Sequence, residues 1–175
     1  MLSVLYSRRT DIFPHLTFFC IVIWKANRAK SKGALRLIDK DPRKRSDLDK
    51  IVKLLTYSLW QASSSKRLLQ ILIEQWGFHL PMAAAILTLL YPKYFTIYDP
   101  RVCGGLDEYS DLINRILIRS VWQGYREFCV PVKNSINRDY SMRDKDRILW
   151  AKSFKKQLEN DITGQFLKSE PYPEV

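Results

Sequence analysis

The segment from Ile71 to Val102 constrains the fold more than any other part of the chain. An apolar helical pattern through Leu68, Leu69, Leu72 and Ile73 breaks at Trp76-Gly77, and a second pattern opens at Pro81. Proline suits the first turn of a helix, where a missing N–H costs nothing because no carbonyl precedes to receive it. Ala83, Ala84 and Ala85 carry that helix onward with side chains small enough to admit a close neighbour, and Pro92 stops it. Two helices joined by the tight hairpin Trp76-Gly77-Phe78-His79-Leu80 therefore occupy the middle of the chain. The first turn of the second helix directs unpaired N–H groups and a positive dipole end outward, where they suit an anion such as a phosphate. Phe95 to Tyr98 then reads as extended, and Asp99-Pro100 reads as a new helix start, with Asp as N-cap and Pro at the first helical position.

The remaining pattern is helical as well. Ser46 is an N-cap for a helix that places Leu48, Ile51, Val52, Leu55 and Leu59 on one face, and Ser63 to Ser65 start the next. Gly104-Gly105 ends the helix begun at Pro100 or bends it. Ser110 caps a long amphipathic segment reaching Pro131, and Ser141 caps a last helix with Ile148, Leu149, Phe154 and Leu158 inward. No run of alternating strands, no internal repeat and no low-complexity tract is present, and six glycines are few for a turn-rich β protein. The fold class is all-α. A length of 175 residues with 46% hydrophobic and 27% charged residues fits one soluble globular domain. We divide it into a basic N-terminal segment, 1–45, without an assigned structure, a helical domain over 46–165, and a tail over 166–175.

Lys and Arg number 29 against 18 Asp and Glu, a net charge of +11, so the surface should attract polyanions. Residues 25–45 hold much of that charge and read as a short helix or loop with a solvated basic face. Cys20, Cys103 and Cys129 are odd in number and widely spaced, which suggests neither a disulfide framework nor a zinc site and points to a reducing, cytoplasmic setting. His15 and His79 are the only histidines; both read as surface or packing residues, and no metal is implied. The apolar run from Leu16 to Trp24 is too short to span a bilayer and lacks a cleavage site after it. It reads as buried core, with a membrane-surface anchor as the alternative use.

From Gly77 to Val102 the sequence resembles the helix-hairpin-helix superfamily of DNA glycosylases, which includes endonuclease III, adenine glycosylase and 8-oxoguanine glycosylase. The residues that carry the resemblance are GFHLPMAAAILTLL followed by FTIYDPRV, against a family pattern LPGVGxKTA, an apolar helix, and VDxHVxR. The segment SMRDKDRILW is also similar to one in small bacterial relatives of these enzymes. The resemblance covers about Leu48 to Leu158 and implies a helix-hairpin-helix glycosylase-like bundle that binds DNA, with a nucleoid-associated location. It puts Asp99, 18 residues after Pro81, at the position of the family's catalytic aspartate. Three departures matter. His79 replaces the second hairpin glycine. Pro81 stands where bifunctional members carry an imine-forming lysine, which removes that lyase step at the hairpin. The four-cysteine iron–sulfur loop is missing, so no cofactor is implied.

On this resemblance the chain is a monofunctional DNA N-glycosylase. Breaking an N-glycosidic bond builds positive charge on the sugar, which a carboxylate at Asp99 would stabilise while it orients the attacking water. The base must first leave the duplex and enter a pocket while a wedge fills the gap. Trp60, Trp76 and Tyr98, with Phe78, are the pocket or wedge candidates; Gly77, Phe78, His79, Leu80 and Arg101 are the DNA contacts, joined by the basic 25–45 segment. Trp60, Trp122 and Trp150 also suit core packing, Asp99 is also a plain helix cap, and Asp146 with Arg147 reads as structural, a helix-surface ion pair or a support to the site. A DNA-binding module that keeps the hairpin without catalysis is the alternative, and a basic membrane-surface helical protein is a third.

Overall fold

The computed structural model describes residues 15–26, 30–43, 47–106, 108–137 and 139–164, and these form eight α-helices and no strand. Two of the helices, α1 (His15–Ala26) and α2 (Lys30–Lys40), lie in the N-terminal segment of uncertain structure, and α2 falls within the 25–45 stretch expected as a short helix or loop. Phe18, Ile21 and Val22, at three- and four-residue steps on α1, join one core cluster with Leu37 of α2. The apolar run is thus mostly spent against the rest of the protein, although Ile23 and Trp24 stay exposed. No helix among the described residues is long and apolar enough to cross a membrane.

Helix α3 (Leu48–Trp60) is capped by Asp47, whose carboxylate accepts from the Lys50 N–H at 3.2 Å. The expected cap, Ser46, lies outside the described residues, as do the side chain of His15 and the 166–175 tail. Helix α4 (Ser65–Gln70) is capped by Ser64 and widens into a π turn over Ile71–Gln75, in which the Trp76 N–H reaches the Ile71 carbonyl at 3.1 Å. The Phe78 N–H then closes onto the Leu72 carbonyl at 2.9 Å across Gly77, whose φ of +67° is the left-handed conformation that costs glycine least. Helix α5 (Leu80–Leu90) follows, with His79 at the cap position and Pro81 one residue inside. Apart from the half-buried Met82 it is buried along its whole length, with α1 and α4 packed against it.

A turn over 92–94 follows, and the chain then runs without regular secondary structure to Asp99, whose backbone is extended and which caps α6 (Pro100–Gly104). Two expectations fail in the following stretch. Residues 110–131 are not one helix: Ser110–Asn114 form a 3₁₀ turn, the backbone is extended at Arg115, and α7 (Ile118–Asn134) begins only after Leu117. The turn folds back against α7 at Gly124, where a Cβ would stand 2.2 Å from Leu112 Cδ2, and this leaves Ile113, Ile116 and Leu117 exposed. Pro131 does not end α7 either. It falls in the last turns, where its lost N–H removes one bond, and the helix continues to Asn134. Helix α8 (Met142–Thr163) is capped by Ser141 as expected, but Phe154 and Leu158 are exposed because its second half runs beyond the bundle. Buried Lys145 donates to the Lys133 carbonyl at 2.6 Å, placing a cation at the C-terminal end of α7.

Candidate functional site

The run 95–98 is threaded between α7 and α8 and pinned from both. The Thr96 N–H donates to the Tyr125 hydroxyl at 3.0 Å, and that hydroxyl donates to the Thr96 carbonyl at 2.6 Å. From α8, Asp146 Oδ2 accepts from the Thr96 hydroxyl at 3.1 Å and from the Ile97 N–H at 3.4 Å. The Tyr98 hydroxyl donates to the Tyr109 carbonyl at 2.7 Å. Satisfied polar groups in a low-dielectric interior hold their geometry firmly. The backbone that delivers Asp99 is therefore fixed on both sides.

Asp99 serves two partners at once. One carboxylate oxygen accepts from the Arg101 N–H at 2.9 Å, which is the helix cap, and the other accepts from Lys25 Nζ at 2.5 Å. Lys25 stands in the last turn of α1, where the helix dipole favours a cation. Its side chain is 5% exposed and that of Asp99 is 17% exposed, so the pair is mostly removed from water but still reachable.

The pair opens onto a cavity of about 380 Å³. Trp24 and Lys25 of α1 form one wall, Ile97, Asp99 and Val102 the second, and Asp146, Arg147 and Trp150 of α8 the third. Burial pushes the Asp146 carboxyl up to about 6, although the bonds from Ile97 and Thr96 and the nearby Arg143 and Arg147 pull the other way. Behind this wall, burial raises the Cys103 thiol to about 11, so it is no thiolate nucleophile at neutral pH. Among the described residues no group of three or more His, Cys, Asp or Glu side chains is arranged to hold a metal ion.

The sequence-derived residues scatter around this centre. Asp99 lines the cavity, whereas Trp76 and Tyr98 are core residues at 3% and 2% exposure and lie outside its walls. Trp60 is exposed on α3 beside Tyr57 and is not in the walls either. Phe78 and Leu80 turn their side chains into the core, so of the hairpin residues only the exposed His79 and the half-buried Gly77 remain near the surface. Arg36 and Lys40 of α2 lie against Gly77, with Lys40 Cε 3.2 Å from where a Cβ would stand. The Arg101 guanidinium lies over the Trp150 and Phe154 rings, 4.9 and 4.6 Å from their centroids. Asp146 is a buried anchor of the 96–97 backbone, while Arg147 lies 3.8 Å from Asp144 on the surface.

Sequence reasoning missed Trp24, Lys25 and Trp150 as members of the site. Lys25 was counted with the diffuse basic segment, and 74 residues separate it from Asp99, so no local spacing signals the contact. Trp150 follows Asp146 by four residues, one helical turn, and that spacing could have flagged both for one face. No family model, no curated protein and no solved structure matches the chain.

Proposed function

We propose that this protein is a DNA N-glycosylase of helix-hairpin-helix type, which receives an extruded base in the cavity beside Asp99. The observation that carries the reading is the setting of that carboxylate: rigidly capped, mostly buried, and facing a cavity walled by two tryptophans. Tryptophan faces suit a flipped base, and a fixed carboxylate suits the positive charge that develops on the sugar. The succession α4, Gly77 turn, α5, connecting run and capping aspartate supports the same reading. Arg36 and Lys40 add cations beside the hairpin, where phosphates would lie. Asp146, raised to about 6 in the same cavity, is suited to pass a proton to the departing base.

A second course of reaction is favoured by one observation, the Lys25 amine in contact with Asp99. Once it has given up a proton, that amine would attack C1′ in place of water. The C1′–N bond breaks, the base leaves with a proton, and the sugar ring opens to an imine on Lys25. The hairpin position occupied by Pro81 offers no such group, so the nucleophile would come from α1 instead.

The test is incubation with duplexes containing 8-oxoguanine, uracil or alkylated bases, assayed for abasic sites, with Asp99→Asn alongside. Excision by the wild type that disappears in Asp99→Asn is the expected result. Excision that survives the substitution refutes the role given to Asp99. Salt-sensitive duplex binding without excision of any base would instead favour a non-catalytic DNA-binding module. Borohydride added during turnover separates the two courses: a covalent adduct lost in Lys25→Gln marks amine attack, and turnover without an adduct marks water.

A further inference from the structure

A second concavity, of about 750 Å³, lies where the outer face of α7 meets the N-terminal end of α4 and the turn after α5. It shares no lining residue with the Asp99 cavity. Lys66, Arg119 and Arg126 face it against one carboxylate, Glu127, whose oxygen already accepts from Gln123 at 3.1 Å. Among the described residues none of the three cations forms an ion pair. Two aromatic side chains accompany them: Tyr94, 71% exposed, and the half-buried Trp122.

Unpaired cations alone would suit any polyanion. Aromatic rings among them, one exposed and one half-buried, add a preference for a ligand that alternates anionic groups with flat π faces. An acidic peptide supplies the charge without the stacking, and a membrane surface would call for protruding apolar side chains, not a recess. We propose that this groove binds a single-stranded segment of nucleic acid, with bases stacked on Tyr94 and Trp122 and phosphates on Lys66, Arg119 and Arg126. The inference does not depend on the chemistry at Asp99. The two sites nevertheless share a backbone support, since Tyr125 at the groove holds Thr96, whose neighbour Ile97 lines the Asp99 cavity.

The test uses the full chain and an end-labelled oligothymidylate of about 10 nucleotides, a length within the range one such site occupies, followed by fluorescence anisotropy over a series of salt concentrations. Replacing both arginines, Arg119→Ala with Arg126→Ala, should weaken binding at least about tenfold and reduce the salt slope by about 1.4, the amount for two phosphates on a single strand. Tyr94→Ala should weaken binding about tenfold with the slope unchanged, and Tyr94→Phe should restore it, because only the ring is needed. Quenching of intrinsic fluorescence by the oligomer should shrink in Trp122→Phe. All these positions except Trp122 are exposed, so folding is not at stake. The charge-matched control, Lys155→Ala with Lys156→Ala on α8, should bind like the wild type; an equal loss there would mean that net charge alone acts, and would overturn the proposal. Wild-type affinity in the double arginine variant or in Tyr94→Ala overturns it too. So does displacement of the oligomer by thymidine monophosphate at matching nucleotide concentration, which would make the ligand a free nucleotide, or binding to phosphatidylserine vesicles through the same arginines without oligomer binding. Asp99→Asn should leave oligomer binding intact, which separates failure of this site from failure at the cavity.

Discussion

Asp146 offers the sharpest physical test of the site. The residue is 2% exposed, and its carboxyl is raised from an ordinary 3.8 to about 6 because burial disfavours the charged form. A rise from 3.8 to about 6 corresponds to roughly 3 kcal/mol of differential stability. The sign follows from proton binding: the folded state holds the proton more tightly, so the contribution is complete at pH below 3.8 and is lost as pH rises through about 6. Asp146→Asn keeps the shape and a carbonyl oxygen to accept from Ile97 and Thr96, but has nothing to titrate. Its stability relative to wild type should therefore climb by about 2.4 kcal/mol between about pH 4 and about pH 7. Urea unfolding at constant ionic strength, followed by tryptophan fluorescence and circular dichroism, measures that difference, with m-values checked for equality. A difference that stays level to within about 0.5 kcal/mol, or that falls as pH rises, would refute the reasoning, since Arg143 and Arg147 would then outweigh burial.

Three further outcomes follow from the packing. Breaking the Lys25–Asp99 pair from either side strands a mostly buried charge, so Lys25→Met and Asp99→Asn should each cost about 3 kcal/mol in urea unfolding, and the double variant much less than their sum. Asparagine is itself a good cap, so the Asp99→Asn loss will report the ion pair more than α6. Gly77→Ala forces a Cβ into a left-handed turn and close to Lys40, and should lower stability by about 1–2 kcal/mol, with Gly77→Asn milder. Gly105→Ala would set a Cβ 2.8 Å from the Leu149 carbonyl oxygen, and should cost about 1–3 kcal/mol by prising α6 from α8, seen as a lower thermal midpoint.

The helices were legible where local rules decide. Capping residues at Ser64, Asp99 and Ser141, the Gly77 turn and the proline-bounded α5 all rest on interactions within a few residues. The expectation failed where tertiary contact overrode the pattern. Between Ser110 and Leu117 the apolar residues fit a helix, but the space left by Gly124 draws Leu112 down onto α7 and the chain turns instead. Phe154 continued an apolar stripe, yet α8 has outrun the core by then and the ring packs with Trp150 and Arg101. At the site, Asp99 announced itself by its Asp-Pro start, whereas its lysine partner sits on a helix 74 residues earlier. A single sequence carries no mark of such a pairing, and it leaves Asp146 between a helix-surface ion pair and a support to the site.

The Lys25–Asp99 contact also bears on how a carboxylate so placed would act. An ammonium 2.5 Å from Asp99 cancels most of the field that would stabilise positive charge on a sugar. On the proposed chemistry this shielding must lift as the base departs, and a proton passed from Lys25 towards the leaving base, directly or through Asp146, would lift it. That transfer leaves Asp99 uncompensated at the moment positive charge forms, and frees the Lys25 amine at the same time. Removal of the ammonium therefore separates two roles. If Lys25 only shields, Lys25→Met exposes the carboxylate and excision should accelerate at fixed substrate. If Lys25 supplies the proton or the nucleophile, excision should fall by at least about a hundredfold, the usual scale for loss of a general acid. Faster excision in Lys25→Met would thus eliminate the amine as a participant and leave water as the attacking group.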